Sequence, residues 1–337
     1  MLFTKKTFRT IFFWGLLGLL LIFPSKTEGV CQQVEMGINY LTALQNSDGG
    51  FPLEKGLPSS PEVTDWVVMA LAAAGEEIDS KTLTYLAKER PLTSITDYAR
   101  TILALTAIGE KEELSEELRC WQLSSGQFAR KEFAETELVN GHLWSVLALV
   151  SAGKAIPEKE KALNWLVAQQ NEDGGFAWAV GGDSDPDSTG IALSALAILG
   201  VEKEAIVVQR ALEYLKSRQT LTGGFAWWGE EPNTATNAWV IQGLIAIGEN
   251  PIGDKWLAAG KSPRDHLIAL QNEDGSFQWM EGVNSSTVLM TAYALVGLTD
   301  NFYPVNVELT KKTFSLANFK EFLLHTFQVW KKGLNLG

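Results

Sequence analysis

Histidine and cysteine are almost missing from this chain, with three of one and two of the other in 337 residues. His142, His266 and His325 form no short ligand pair, and neither cysteine has a neighbour at metal-ligand spacing. A calcium loop over Asp183, Asp185 and Asp187 would want glycine at Ser188 and glutamate at Ser194. The spacing therefore calls for no metal ion and no cofactor. A disulfide-built scaffold is excluded as well, although Cys31 and Cys120 could form one bridge or stay as two thiols. Positive charge is scarce: 28 basic residues face 40 acidic ones, a net charge of −12. Such a surface repels phosphate backbones, so nucleic acid is not an expected partner. Long hydrophobic runs are lacking too. The longest, Ile11 to Phe23, has 13 residues, short for a bilayer span.

That run follows Lys5, Lys6 and Arg9 and precedes the small residues Thr27 and Gly29. A basic stretch, an apolar stretch and a small-residue pair together predict a signal peptide over residues 1–29. The protein is then expected to be secreted or extracytoplasmic, with association at the cell surface. An uncleaved segment would instead anchor it to the membrane. Cleavage removes Lys5, Lys6, Arg9 and Lys26 against Glu28, so −12 becomes −15.

The rest of the chain repeats itself. Gln45-Asn46-Ser47-Asp48-Gly49-Gly50-Phe51 returns at Gln170–Phe176, Gln219–Phe225 and Gln271–Phe277, and more weakly at Gln122–Phe128. Three copies reach a tryptophan two residues later, Trp178, Trp227 and Trp279. Between the copies lie apolar segments that open on Thr, Ser, Asp or Asn and stop at Gly75, Gly109, Gly153, Gly200, Gly248 and Gly297. Short polar side chains accept from the free N–H groups of a helix start, and glycine takes the left-handed cap at its end. A segment apolar all round, such as Ile191–Leu199, is buried on most faces. The segments before each turn are amphipathic, so they read as outer helices. The pattern predicts an all-α fold of six outer–inner hairpins. These close into an (α/α)6 toroid over residues 30–300, because neither end carries a polar capping repeat. Residues 301–337 are predicted to form a helical extension, with Leu309–Leu336 packing an apolar face on the ring.

The Gln-x-x-Asp-Gly-Gly-Phe-x-Trp phrase resembles the QW motif of squalene and oxidosqualene cyclases. It is similar also to the repeats of protein prenyltransferase β subunits and of cobalamin carriers. The resemblance implies the α/α toroid. Squalene-type cyclases begin their reaction at an Asp-x-Asp-Asp-Thr motif, and Asp185-Pro186-Asp187-Ser188-Thr189 is similar. It would place Asp187 as the acid that protonates an alkene and Asp185 as its neighbour, while Ser188 departs from the motif. A prenyltransferase would need an aspartate two residues before a zinc-binding cysteine, where this chain has Gly29 and Leu118.

Because the ring hosts unrelated activities, its mouth decides function. Inner helices are expected to begin at Asp65-Trp66, Asp97-Tyr98, Asn140-Gly141-His142, Asp187-Ser188-Thr189, Asn237-Ala238-Trp239 and Ser286-Thr287. Polar groups converging there would hold a small ligand, with Asp65, Trp66, Asp97, Tyr98, His142, Ser188, Asn237 and Trp239 as contacts. The leading expectation is an exported, non-catalytic ring that binds a small apolar or amphipathic molecule, or a partner. The alternatives are a squalene-type cyclase using Asp187 and, third, a polysaccharide-active α/α-ring enzyme. In the motif itself, Asp187 or Ser188 is expected to cap the inner helix, with Asp183 and Asp185 in a solvated loop.

Overall fold

The computed structural model describes residues 26–305 apart from 89, 111, 228 and 230, and only the backbone of residues 26–31. The signal segment up to residue 25, the Cys31 side chain and the Leu309–Leu336 helix lie outside the described residues. Cys120 is exposed, its Sγ 3.3 Å from the carbonyl of Glu116.

Among the described residues, twelve α-helices alternate between two layers. The outer ones are α1 (Lys26–Thr42), α3 (Ser80–Leu86), α5 (Leu114–Cys120), α7 (Lys159–Val167), α9 (Ile206–Arg218) and α11 (Pro263–Ala269). The inner ones are α2 (Pro61–Ala74), α4 (Ile95–Ala107), α6 (Val139–Ser151), α8 (Pro186–Ile198), α10 (Thr234–Ala246) and α12 (Thr287–Leu298). Each inner helix packs on the next, and α12 packs back on α2, so the ring is closed. Their apolar surfaces meet in one large core, with a smaller cluster between α10, α11 and α12, as all-round hydrophobicity requires. At the tightest crossing, a Cβ on Gly243 would lie 2.3 Å from the Gly190 carbonyl oxygen, so α8 and α10 meet through bare backbone.

The repeated phrase is a clamp between hairpins. Gln170 donates from Nε2 to the carbonyl of Gly174 in its own turn at 2.9 Å and to that of Val207 in the first turn of α9 at 2.7 Å. Gln122 spans Gly126 and Glu158 in the same way, and Gln219 spans Gly223 and Trp256. Gln271 reaches Gly275 and, 2.8 Å away, Gln33 of α1, which closes the outer layer as well. The first glycine of the turn has φ near +90° and sits against the next outer helix. A Cβ on Gly275 would lie 2.2 Å from the Met36 carbonyl oxygen. Both the left-handed backbone and the close approach demand glycine there.

Helix boundaries differ from expectation at two kinds of place. The inner helices begin earlier: Ser60, Ser94, Asp185 and Asn233 are the N-caps of α2, α4, α8 and α10. The sixth glycine, Gly297, is no cap. It lies inside α12 against Ile241, and Asp300 takes the left-handed turn.

Candidate functional site

The earlier helix starts bury three of the expected mouth residues, Asp65, His142 and Asn237. Phenylalanine of the clamp places its backbone N–H inside the ring, where it needs an acceptor. Thr64 supplies one for Phe51, Thr189 for Phe176 and Thr291 for Phe277. His142 does the same for Phe128 through Nδ1 at 3.2 Å, and Asn237 for Phe225 through Oδ1 at 3.1 Å. Both are fully buried. His142 and Asn237 therefore serve the framework and do not line the cavity at the ring mouth. Burial pushes the His142 imidazole down to about 3, so it stays neutral as an acceptor.

Asp65 is buried too, between Arg90 at 2.8 Å and Arg100 at 3.5 Å, where it joins the hairpin lacking a clamp to its neighbour. Asp97 forms a capping box with Ser94 and pairs with Arg100; these donors hold it down at about 2, against the opposing effect of burial. Tyr98 stacks edge-on against Trp121, and its hydroxyl donates to Glu117 on α5. None of these three lines the cavity.

Trp66, Asp185, Asp187, Ser188 and Trp239 do line it. Together with Asn140, Trp144, Trp178, Ile191 and Trp227 they surround a cavity of about 290 Å³. Trp66, Trp144 and Trp239 are buried and meet edge to face, with ring centres 5.4–5.7 Å apart, to form its floor. Trp178 and Trp227, 54% and 50% exposed, stand at the rim. The rim is held by backbone: the Trp178 carbonyl accepts from Val139 and Asn140 at the start of α6. Asn140 in turn accepts from the indole N–H of Trp144 at 2.9 Å.

The two aspartates play different parts. Asp185, not Asp187 or Ser188, caps α8: it accepts from Ser188 N at 2.6 Å and from Ser188 Oγ at 2.8 Å. Asp187 lies one residue inside the helix. Its Oδ1 is buried without a partner, while Thr236 stands close enough to hydrogen-bond its carboxyl. Burial pushes Asp187 up to about 7; the Thr236 bond opposes this and the Asp185 charge adds to it. A carboxyl that keeps its proton near neutrality beside tryptophan faces can donate that proton, and the indoles can stabilise the positive charge that results.

Trp144, Trp178 and Trp227 were missed as lining residues. Trp178 and Trp227 belong to the clamp phrase, whose recurrence points to a structural role. Only the asparagine four residues before Trp144, where an amide can hold an indole N–H, could have signalled it.

A closed ring of six hairpins, with an aromatic cavity at the N-terminal ends of its inner helices, defines an α/α toroid. The family model for the prenyltransferase alpha-alpha toroid domain matches residues 2–96 and 92–237, and the chain belongs to that family. No curated relative matches the sequence. Among solved structures, the chain is similar to the type II terpene cyclase MstE from Scytonema. The TM-score is 0.60 at 14% identity, over 82% of this chain and 98% of that one. The ent-copalyl diphosphate synthase from Streptomyces platensis gives 0.52 at 18% identity, over 73% of this chain and 52% of that one. A glycosidase in complex with glucose gives 0.55 at 11% identity, over 82% and 98%. At such identities the likeness concerns the ring alone.

Proposed function

We propose that the ring binds a small, uncharged isoprenoid-like molecule in its tryptophan-lined mouth and that Asp187 protonates it, as in a type II cyclase. One observation carries this reading: a carboxyl raised to about 7, with an unpartnered buried oxygen, borders a cavity whose other walls are mostly indole. In the proposed step the Asp187 proton and the alkene π pair form a new C–H bond. The cation left on the adjacent carbon is attacked by a second alkene. The cyclised cation then loses a proton to water, and solvent reprotonates Asp187. Tryptophan faces around the cavity favour the cationic stage over the neutral ground state.

The cavity also constrains the ligand. It holds roughly ten waters at about 30 Å³ each, room for a short isoprenoid skeleton. Among the described residues its lining has two carboxyls and no cation, so nothing there would neutralise a diphosphate head group. A variant of MstE is solved with geranylgeranyl dihydroxybenzoate as its substrate, which supports a prenyl chain as the apolar part of the ligand. The N-terminal basic and apolar segment supports an extracytoplasmic site, where neutral prenyl alcohols are more accessible than diphosphates.

A second reading is binding without turnover. Ser188 favours it, since its hydroxyl serves Asp185 and leaves Asp187 without the extra carboxyl that the cyclase motif has. Paired-carboxylate glycoside chemistry fits less well, because Ser188 engages both oxygens of Asp185. The test is incubation with linear prenyl alcohols in D2O. Cyclic product carrying one carbon-bound deuterium, absent in Asp187→Asn, is the expected result. Ligand retained without conversion selects the binding reading, and equal turnover by Asp187→Asn overturns the role of Asp187.

A further inference from the structure

The floor of the cavity is backed by a residue from outside the ring. After α12 the chain turns at Asp300, and Asn301 bonds the Ala73 carbonyl at the C-terminal end of α2 at 2.9 Å. Tyr303 then enters the centre of the toroid from the face opposite the mouth. Its ring lies 5.5 Å from Trp66, 5.8 Å from Trp144 and 5.8 Å from Trp239, touching all three floor tryptophans. It is 2% exposed. Among the described residues the buried Tyr303 hydroxyl has no partner, and the side chain is held there by the packing of its ring.

We infer that Tyr303 is a specificity-determining residue: by filling the ring's axis beneath Trp66, Trp144 and Trp239, it sets the depth of the cavity and so the longest apolar chain that enters. This rests on the mouth being the ligand site. The inner helices continue for two turns beyond the tryptophans, and Tyr303 packs against the indoles there, with Val305 beside it in the chain and also buried. A smaller side chain at 303 removes the support under three indoles. They can then turn into the vacated space and let a longer chain pass. Buried indoles are otherwise fixed by their neighbours, since close-packed interiors leave no slack.

The experiment uses n-alkanols of increasing length as probes, with binding to the whole protein followed by calorimetry. These probes cannot be cyclised, so the result is independent of turnover. The wild-type protein is expected to show a length cut-off. Tyr303→Ala should move that cut-off upward by at least four carbons. Tyr303→Leu should move it by less and guards against loss of folding in the alanine variant. Tyr303→Phe, which keeps the ring and loses only an unpartnered hydroxyl, should restore the wild-type cut-off. A folded Tyr303→Ala or Tyr303→Leu protein with an unchanged cut-off overturns the inference, as does failure of every alkanol to bind either protein. A shifted cut-off with no turnover of any prenyl alcohol would uphold Tyr303 as the floor and refute only the cyclase reading.

Discussion

The clamps and the rim are built from neighbouring parts of one repeated phrase, yet they obey different rules. In the clamps, identity follows position: at every copy a glutamine joins its own turn to the next hairpin, and a glycine lies against the next outer helix. On the rim, each loop differs, and the cavity takes its lining from α2, α6, α8 and α10 while α4 and α12 contribute none of the lining residues. The acceptor for the phenylalanine N–H sits between these extremes. It is threonine in three hairpins, histidine in one and asparagine in another. Chemical variety there serves a single framework purpose. A reactive side chain among its counterparts is therefore poor evidence of a site unless it also faces space.

The contrast breaks first, and most severely, at a clamp. Gly275→Ala adds a Cβ 2.2 Å from the Met36 carbonyl oxygen while φ stays near +90°. Left-handed strain of roughly 1–2 kcal/mol and overpacking of about 1–3 kcal/mol together predict a loss of about 3 kcal/mol. Urea unfolding would measure it. Ligand affinity in the protein that remains folded should be unaltered, because Gly275 lies in the outer layer. A variant that unfolds normally but binds ligand poorly would erase the distinction between clamp and rim.

Asp187→Asn tests the rim from the other side, with activity lost and stability gained. The folded carboxyl titrates near 7 and the unfolded one near 3.8, so the native state holds the extra proton between these values. Stability from this group is complete below about pH 4 and falls as pH rises toward 7. At about 1.4 kcal/mol per pH unit, discounted because the cavity opens to water, the loss is on the order of 2 kcal/mol. Melting temperatures from pH 4 to 8 should decline for the wild type through this range and decline less for Asp187→Asn. A variant less stable than wild type at pH 8 would show that the carboxylate is wanted there.

The fold was legible because its signals are periodic. The clamp phrase, the capping residues and the terminal glycines recur in register, and ring closure followed from inner segments apolar on every side. The site was only half legible. Asp185, Asp187, Ser188, Trp66 and Trp239 were placed at the mouth, and the cavity lies there. Asp65, His142 and Asn237 were misplaced because the helices begin up to four residues earlier than their first conspicuous polar group suggests. Such a shift turns a residue from the rim into the core. Trp144, which no repeat announces, became visible only through three-dimensional packing, as did Tyr303.

His142 offers a pH test of opposite sign. Its folded imidazole titrates near 3 and an unfolded one near 6.5, so the unfolded chain binds the proton first. Stability from this residue is complete above about 6.5 and declines as pH falls toward 3. His142→Asn, which copies the Asn237 arrangement, should flatten that acid decline and fold normally. His142→Leu should cost roughly 1–2 kcal/mol by leaving the Phe128 N–H buried without an acceptor. Thermal melts at pH 5 and 7.5 separate the three proteins. If His142→Leu were instead neutral in stability and harmful to ligand binding, the histidine would belong to the site after all.

The smallest effect is expected at Tyr98, the expected mouth residue that lies farthest from serving it. Its hydroxyl reaches Glu117 at 3.3 Å in an exposed contact, and its ring stacks on Trp121 between α4 and α5. Tyr98→Phe keeps the stacking and drops a long surface hydrogen bond, so stability should change by less than about 0.5 kcal/mol. Affinity and turnover should be unchanged. Tyr98→Ala would remove the ring as well and loosen the seam of the hairpin that lacks a clamp, so it should cost more in stability and still spare the ligand. Should Tyr98→Phe weaken binding while leaving the melting temperature unaltered, the cavity would have to extend past α4. The division between a one-sided mouth and a structural remainder would then fail.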